Sequence, residues 1–373
     1  MTSADQAQGN RPAQRMGSLD LLRLVSALAV VAFHYLFRGS AGQVPYLDHP
    51  YPAAQAMALY GYLGLNLFFM ISGFVIAWSA EGRTFRAFAI ARFARLYPGF
   101  VICMTITFAV LLFAGDPRLP VGTAQYAANL AMIPQVFGQP FMDGVYWTIV
   151  LELVFYGWVS LAILSGLFAS RKLLLLTSWL AISMVNEYWL GSGALRMVLI
   201  TEYAPFFAGG VLAHHIVSRG WRLDAVLLAF AAFLMALTHM KGMQGWMMAH
   251  YGIAPGNQAL AISGLVLHLV FWAAVAARGL LPSTGLVMML GGLTYPLYLL
   301  HQNIGYVGIN ALTPLLGQTA ALVATLCAIL LVSWLVWRHG ETPGRRMIAT
   351  LLNRGADWLV SRPLVRRMVL ARQ

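Results

Sequence analysis

The chain has 373 residues, of which 60% are hydrophobic and 10% are charged, and its mean hydropathy is +0.72. Soluble globular proteins carry about 25% charged residues, so this composition excludes a soluble enzyme and requires lipid as the solvent. A formal net charge of +12 is also typical of nucleic-acid-binding proteins. Here the charge follows membrane topology and suits anionic lipid headgroups, so no nucleic-acid partner is expected.

Ten apolar stretches of about 20 residues predict an all-α, polytopic integral membrane protein with ten transmembrane helices. Long continuous apolar runs distinguish this pattern from the short alternating segments of a β-barrel. The fifth stretch carries Asn186 and Glu187 near its end, and Pro296 interrupts the ninth. The predicted spans are residues 19–37, 59–80, 97–114, 146–168, 173–190, 197–217, 223–240, 259–277, 286–309 and 318–338.

The sequence predicts three segments: a polar cytoplasmic tail at 1–18, the membrane domain at 19–343 and a basic cytoplasmic tail at 344–373. With both termini in the cytoplasm, 20 of the 24 Lys and Arg residues lie on the cytoplasmic side, as the positive-inside rule requires. The C-terminal tail is suited to lie on the membrane surface. The basic residues assigned to the other side are Arg38, Arg118, Arg196 and Lys241.

Ionisable side chains at membrane depth are costly and usually functional. Arg23 and His34 are eleven residues apart in the first span, which is three helical turns plus about 20°, so both project from one helix face. They lie about 16 Å apart along the helix axis. One face thus offers a permanent cation and, deeper in the membrane, a titratable imidazole. In the structural alternative, Arg23 reaches the headgroups and pairs with Asp20, while His34 hydrogen-bonds a neighbouring helix.

Two further elements place charge within or beside the spans. Arg92 and Arg95 lie at i and i+3, so they face the same way on a helix and suit bidentate phosphate contacts. The positive-inside rule alone would also supply basic residues here. Glu152 is a lone carboxylate in the fourth span, where it either pairs with a cation, carries a proton or forms an interhelical hydrogen bond. His268 and His301 are the remaining candidates at membrane depth.

Other polar residues carry no chemical prediction. Ser72 and Gly73 fit close helix packing, which we favour over a serine nucleophile. Cys103 and Cys327 fall within predicted spans without metal-ligand spacing, so neither a disulfide framework nor a metal is expected. Near the span ends, where headgroups and water can solvate them, structural roles are expected for Glu187, Glu202, His214, His215 and His239.

The candidate residues fall within six short motifs that resemble, in order, those of the acyltransferase family 3 membrane proteins, which O-acylate polysaccharides, lipopolysaccharide and related acceptors. The resemblance covers nearly the whole chain. The sequence departs from the family pattern at Asn66, where many members carry Asp, and at Thr148-Ile149, which replace Ser-Leu. The motifs are Arg23 with His34 after ten residues, Gly64–Phe74 (GLNLFFMISGF), 92–98 (RFARLYP), Trp147 with Glu152, 294–301 (TYPLYLLH) and Glu341-Thr342-Pro343.

The resemblance implies a membrane-bound O-acyltransferase of a bacterial inner (plasma) membrane. It would move an acyl group, usually acetyl, from acyl-CoA to a hydroxyl of a carbohydrate or glycolipid acceptor. Acyl-CoA is then a donor substrate, and no permanently bound cofactor is expected. We expect Arg23, Arg92 and Arg95 to hold the CoA head. His34 would act as general base on the acceptor hydroxyl or carry the acyl group transiently.

The resemblance also implies roles for the other motif residues. Glu152 is expected to orient His34 or to relay its proton, and Trp147, Tyr298 and His301 are assigned to the acceptor side. The alternative from another class is a proton-coupled transporter or flippase of a lipid-linked sugar, because such carriers also place Arg, His and Glu in the membrane. Carriers commonly show internal repeats, and this sequence shows none.

Overall fold

The computed structural model describes residues 16–361, and within that range the chain is helical and contains no strand. This confirms the predicted all-α class. Short α-helices cover Pro52–Ala58, Thr123–Asn129, Leu167–Ser170 and Gly193–Leu199. The longer helices, in chain order, are α1 (Gly17–Leu36), α2 (Leu63–Ala80), α3 (Phe85–Ala114), α4 (Trp147–Leu164), α5 (Lys172–Val185), α6 (Ala204–Arg219), α7 (Leu223–Tyr251), α8 (Asn257–Ala276), α9 (Gly285–Leu300), α10 (Gln302–Leu316), α11 (Gln318–Leu335) and α12 (Thr342–Ser361).

Nine helical segments of the described range are long and apolar enough to cross a membrane, which makes this an integral membrane protein. The ninth predicted span, 286–309, differs from the prediction because it consists of two shorter helices, α9 and α10. Pro296 lies inside α9, and the chain bends at His301 instead. The predicted tail at 344–373 begins within α12, while its last residues and most of the tail at 1–18 lie outside the described range.

Ion pairs between neighbouring helix ends define the two ends of the bundle. Lys172, at the start of α5, contacts Glu81, just after α2, at 3.3 Å. This end, where α1 also begins, is called the near end. Arg118 contacts Asp48 at 2.7 Å at the opposite, far end. The near end is the one that the positive-inside rule predicts to be cytoplasmic.

Helices α2 and α6 pack with their backbones in direct contact. A Cβ atom on Gly73 would overlap the carbonyl oxygen of Phe207, and one on Gly210 would overlap the carbonyl oxygen of Met70. Small residues permit this close approach in membranes, where packing rather than the hydrophobic effect joins helices. The two glycines therefore fix the position of α2, which carries Ser72 into the site described below.

Three irregular segments interrupt the helices. Residues Asn186–Leu190 and Val336–Glu341 are π-helical, and a turn at 200–203 separates α6 from the short helix before it. In that turn Ile200 has a φ of 45°, a left-handed conformation that β-branched residues rarely adopt. Irregular backbone at membrane depth is tolerated where it is buried in protein or lines a cavity, and π-segments are frequent at functional sites.

We predict that Gly73→Ala and Gly210→Ala each lower the free energy of unfolding by about 1 to 3 kcal/mol, because the added methyl group forces α2 and α6 apart. Thermal unfolding of the detergent-solubilised protein measures this effect. Gly209→Ala is the matched control, since a Cβ at the neighbouring Gly209 meets nothing within 4 Å. Equal tolerance of all three substitutions would contradict the close approach of these helices.

Candidate active site

A cavity of about 350 Å³ opens among α1, α2, α3, α4 and α9 toward the near end. It is called the near-end cavity. Its walls combine apolar side chains with an unusual density of ionisable groups for a membrane domain. It brings together five of the predicted site residues: Arg23, Arg92, Arg95, Glu152 and Tyr298.

Two of the three arginines are paired with carboxylates. Arg23 contacts Asp20 at 3.4 Å, as the structural alternative for span one predicted. Arg95 forms an ion pair with Glu341 of the second π-helical segment. Arg92 forms no ion pair among residues 16–361, and its buried Nε has no hydrogen-bond partner there. Of the three predicted arginines, Arg92 is thus the one whose charge is available to an anionic ligand; Arg345 also lines the near-end cavity.

Glu152 sits in the wall of the same cavity and accepts hydrogen bonds from two hydroxyl groups. Ser72 Oγ donates to Oε1 at 3.1 Å, and Tyr156 donates to the same oxygen. No hydrogen bond joins Glu152 to His34 in the described structure, so the expected orienting contact is replaced by these hydroxyls. Ser72, read from the sequence as a packing residue, also positions this carboxylate.

His34 pairs with His301 instead. The two side chains are buried, and His301 Nε2 lies 3.1 Å from His34 Nδ1. His34 Nδ1 also lies 2.8 Å from the carbonyl oxygen of Val30. Because a carbonyl oxygen only accepts hydrogen bonds, we assign the proton of a neutral His34 to Nδ1. Its Nε2 then carries the lone pair that a general base or nucleophile requires.

His301 is assigned in the same way. Its Nδ1 lies 2.7 Å from the carbonyl oxygen of Tyr298, which places the proton on Nδ1. His301 Nε2 then accepts from His34 and shares the single Nδ1 proton of His34 with the Val30 carbonyl oxygen. Tyr298 links this pair to the near-end cavity, because its ring lies 5.6 Å from the His301 ring while its side chain lines the cavity wall. The Tyr298 hydroxyl is held 2.9 Å from Thr148 Oγ1.

The bend at His301 is held from outside α9 and α10. Asp143, in the loop before α4, is buried and accepts hydrogen bonds from the backbone N–H groups of Asn303 (2.9 Å) and Val145 (3.1 Å). Tyr35 donates to the His301 carbonyl at 2.6 Å. Burial raises the pKa of Asp143 to about 6, against the opposing effect of the two N–H donors. Asp143 and Tyr35 thus orient the histidine pair, and neither was singled out from the sequence.

Trp147 lies elsewhere. Its side chain lines a second cavity toward the far end, although the next residue, Thr148, lines the near-end cavity. The first turn of α4 therefore stands between the two cavities. Glu341 and Tyr295 also line the near-end cavity, and both occur in motifs quoted from the sequence without an assigned role.

The model of the acyltransferase 3 domain family matches residues 16–338. The chain belongs to this family. This membership favours an enzyme over the alternative of a transporter. It is similar to the acyltransferase MdmB of Streptomyces mycarofaciens, with 29% identity over 150 residues, and the matched region covers 38% of each chain. No solved structure matches the chain.

We predict that Glu341→Gln lowers the free energy of unfolding by about 1 to 3 kcal/mol, because it leaves the half-buried Arg95 charge uncompensated. Thermal unfolding in detergent measures the loss, and Arg95→Met in the same chain should recover part of it. Asp357→Asn is the control, since its pair with Arg86 is exposed and solvent screens it. Equal effects of Glu341→Gln and Asp357→Asn would contradict a structural role for the buried pair.

Proposed function

We propose that the protein transfers an acyl group, acetyl in the simplest case, from acyl-CoA to a hydroxyl of a carbohydrate or glycoconjugate acceptor. We place it in a bacterial inner membrane with the near end in the cytoplasm, where acyl-CoA is available. The observation that carries the proposal is the arrangement of the near-end cavity, in which an unpaired Arg92 lies at one side and Tyr298 leads to the His301–His34 pair.

The near-end cavity suits the shape and charge of the proposed donor. Coenzyme A has a phosphate-rich head and a thin arm that ends in the thioester. Guanidinium groups bind phosphate oxygens bidentately, and we assign the head to Arg23, Arg92 and Arg95. The spacing of Arg23 and His34 along α1, about 16 Å, is a suitable length for the arm.

We assign the chemistry to the histidine pair. In the direct route, His34 Nε2 takes the proton of the acceptor hydroxyl while the hydroxyl oxygen attacks the thioester carbonyl carbon. The carbon–sulfur bond breaks, and the CoA thiolate takes the proton back from His34. In the two-step route, His34 Nε2 attacks the thioester carbonyl carbon, the carbon–sulfur bond breaks and the CoA thiolate leaves. The acceptor hydroxyl oxygen then attacks the carbonyl carbon of the acyl-imidazole, the carbon–nitrogen bond breaks and the hydroxyl proton passes to the thiolate. His301 stabilises the charged His34 in either case, because its Nε2 accepts from His34 Nδ1.

The roles of the other residues follow from their positions. Glu152 holds the hydroxyl groups of Ser72 and Tyr156 beside the arginines. We therefore propose that Glu152 orients side chains of the cavity wall and does not orient His34. Trp147 and Tyr298 lie on opposite sides of the first turn of α4. We propose that Tyr298 contacts the thioester end of the donor and that Trp147 belongs to the acceptor side.

We predict that Arg92→Met weakens acetyl-CoA binding by roughly tenfold or more, since charge-assisted hydrogen bonds to phosphate are lost. Thermal stabilisation of the purified protein by acetyl-CoA measures the affinity. Arg86→Met is the matched control on α3, because Arg86 pairs with Asp357 outside the cavity. A donor affinity unchanged by Arg92→Met would contradict the assigned phosphate site.

We predict that His34→Ala abolishes the transfer of radiolabelled acetyl groups from acetyl-CoA to cell-envelope glycans while acetyl-CoA still binds, because the base is lost and the arginines remain. His268→Ala is the control: His268 Nδ1 makes the same contact with a carbonyl of its own helix, Gly264 at 2.8 Å, but its ring packs against Phe233 rather than against a second histidine. Full transfer by well-folded His34→Ala protein would overturn the proposed chemistry.

A further inference from the structure

A second cavity, of about 610 Å³, lies toward the far end between α4, α5, α6 and α7. It is called the far-end cavity. Trp147, Tyr203 and Trp246 supply aromatic walls, and Glu187, Glu202 and His239 supply polar groups. Ligand sites are typically lined by hydrophobic and aromatic side chains together with a few convergent polar groups.

The backbone around the far-end cavity departs from regular helix on two sides. The π-helical segment Asn186–Leu190 brings Glu187 into the wall, and the turn at 200–203 brings in Glu202 and Tyr203. Carbonyl groups released by this turn are satisfied by tryptophan side chains: Trp158 Nε1 donates to Val198 and Trp179 Nε1 donates to Leu199, each at 2.7 Å. The break is therefore a built feature of the fold.

The two carboxylates of the far-end cavity differ in what they bind. Glu187 is fully satisfied, because Arg196 contacts both of its oxygens at 2.8 to 3.1 Å and Thr201 Oγ1 donates at 2.6 Å. Glu202 forms no hydrogen bond and no ion pair with any residue in the range 16–361. His239, packed against Tyr203, has a buried Nε2 without a hydrogen-bond partner in the same range.

Besides tyrosines, the ionisable groups that line the far-end cavity are two carboxyls, one guanidinium and one imidazole. Glu187 pairs with Arg196, and the partly buried Glu202 forms no ion pair of its own. A ligand that neutralises Glu202 must be a cation, and the neighbouring aromatic faces also attract cations. The unpartnered His239 Nε2 can pair with a hydroxyl of the same ligand.

We propose that the far-end cavity binds a ligand with a protonated amine beside hydroxyl groups on an apolar body, such as an amino-sugar glycoside, with the ammonium on Glu202. The identification of this ligand as the acyl acceptor rests on the proposed function. It is supported by the thin wall between the cavities: the ring of Tyr203, in the far-end cavity, lies 5.0 Å from the ring of Phe69, in the near-end cavity.

Octyl β-D-glucosaminide and octyl β-D-glucoside form a matched pair of probes, since they differ only at C2, where the first carries an amine and the second a hydroxyl. Their affinities for the protein in phosphatidylcholine nanodiscs are measured without any acyl donor, below the pKa of the glucosaminide amine. We expect the wild type to prefer the glucosaminide by roughly tenfold or more. Glu202→Gln should abolish this preference, and Glu202→Asp should retain part of it.

Glu81→Gln is the control, because it removes a carboxylate at the near end. The unfolding temperature of each unliganded variant identifies any loss of folding. If Glu202→Gln does not fold, the preference of Glu202→Asp for the glucosaminide tests the proposal instead. Nanodiscs that contain phosphatidylethanolamine distinguish the two sources of the amine. If this lipid competes with the glucosaminide for Glu202, the natural ligand is a lipid headgroup; if it does not compete, the natural ligand is a glycan. Equal affinity of the wild type for both probes, or a preference that survives Glu202→Gln, would overturn the proposal. Because no donor is present, this result is independent of whether acyl transfer occurs.

Discussion

The cost of placing charge within a bilayer is the constraint on which the rest of this structure depends. Two guanidinium groups of the membrane domain are matched by carboxylates, in the pairs Arg95–Glu341 and Arg196–Glu187. In each pair the carboxylate comes from a π-helical segment, where the altered backbone turns it toward its partner. Departures from regular helix and satisfaction of buried charge are therefore linked in this fold.

Among the residues that line the two cavities, Arg92 and Glu202 form no ion pair with any residue in the range 16–361. Arg92 carries an unpaired positive charge in the near-end cavity, and Glu202 carries an unpaired negative charge in the far-end cavity. Opposite charges in separate cavities suit two ligands of opposite charge, which is the requirement for the proposed transfer from an anionic CoA donor to a cationic acceptor. Tyr298 and His301 connect the near-end cavity to His34, the proposed centre of the chemistry.

The sequence predicted those parts of the site that depend on one helix or one motif. Helical periodicity places Arg92 and Arg95 on one face of α3, and the cavity contains both. Contacts between distant segments could not be predicted in this way. The sequence assigned His301 to the acceptor side, and the structure shows that it also bonds to His34. This contact depends on the bend between α9 and α10, which Asp143 holds and which does not lie at Pro296.

The partners of Glu152 also depend on contacts between segments: helix packing brings Ser72 to it, and Tyr156 follows it by one helical turn. Glu202 and His239 were read as solvated residues near span ends. Periodicity gives no signal for the broken helix before α6, and without that break the far-end cavity that they line cannot be foreseen.

The most direct test of the account is a cryo-electron microscopy structure of the protein bound to the unreactive thioether analogue of acetyl-CoA. The account predicts density for the phosphates at Arg23, Arg92 and Arg95, with the arm running past Tyr298 and the acetyl end against the His34–His301 pair. Density for the phosphates in the far-end cavity, or an arm that ends away from the histidine pair, would contradict it.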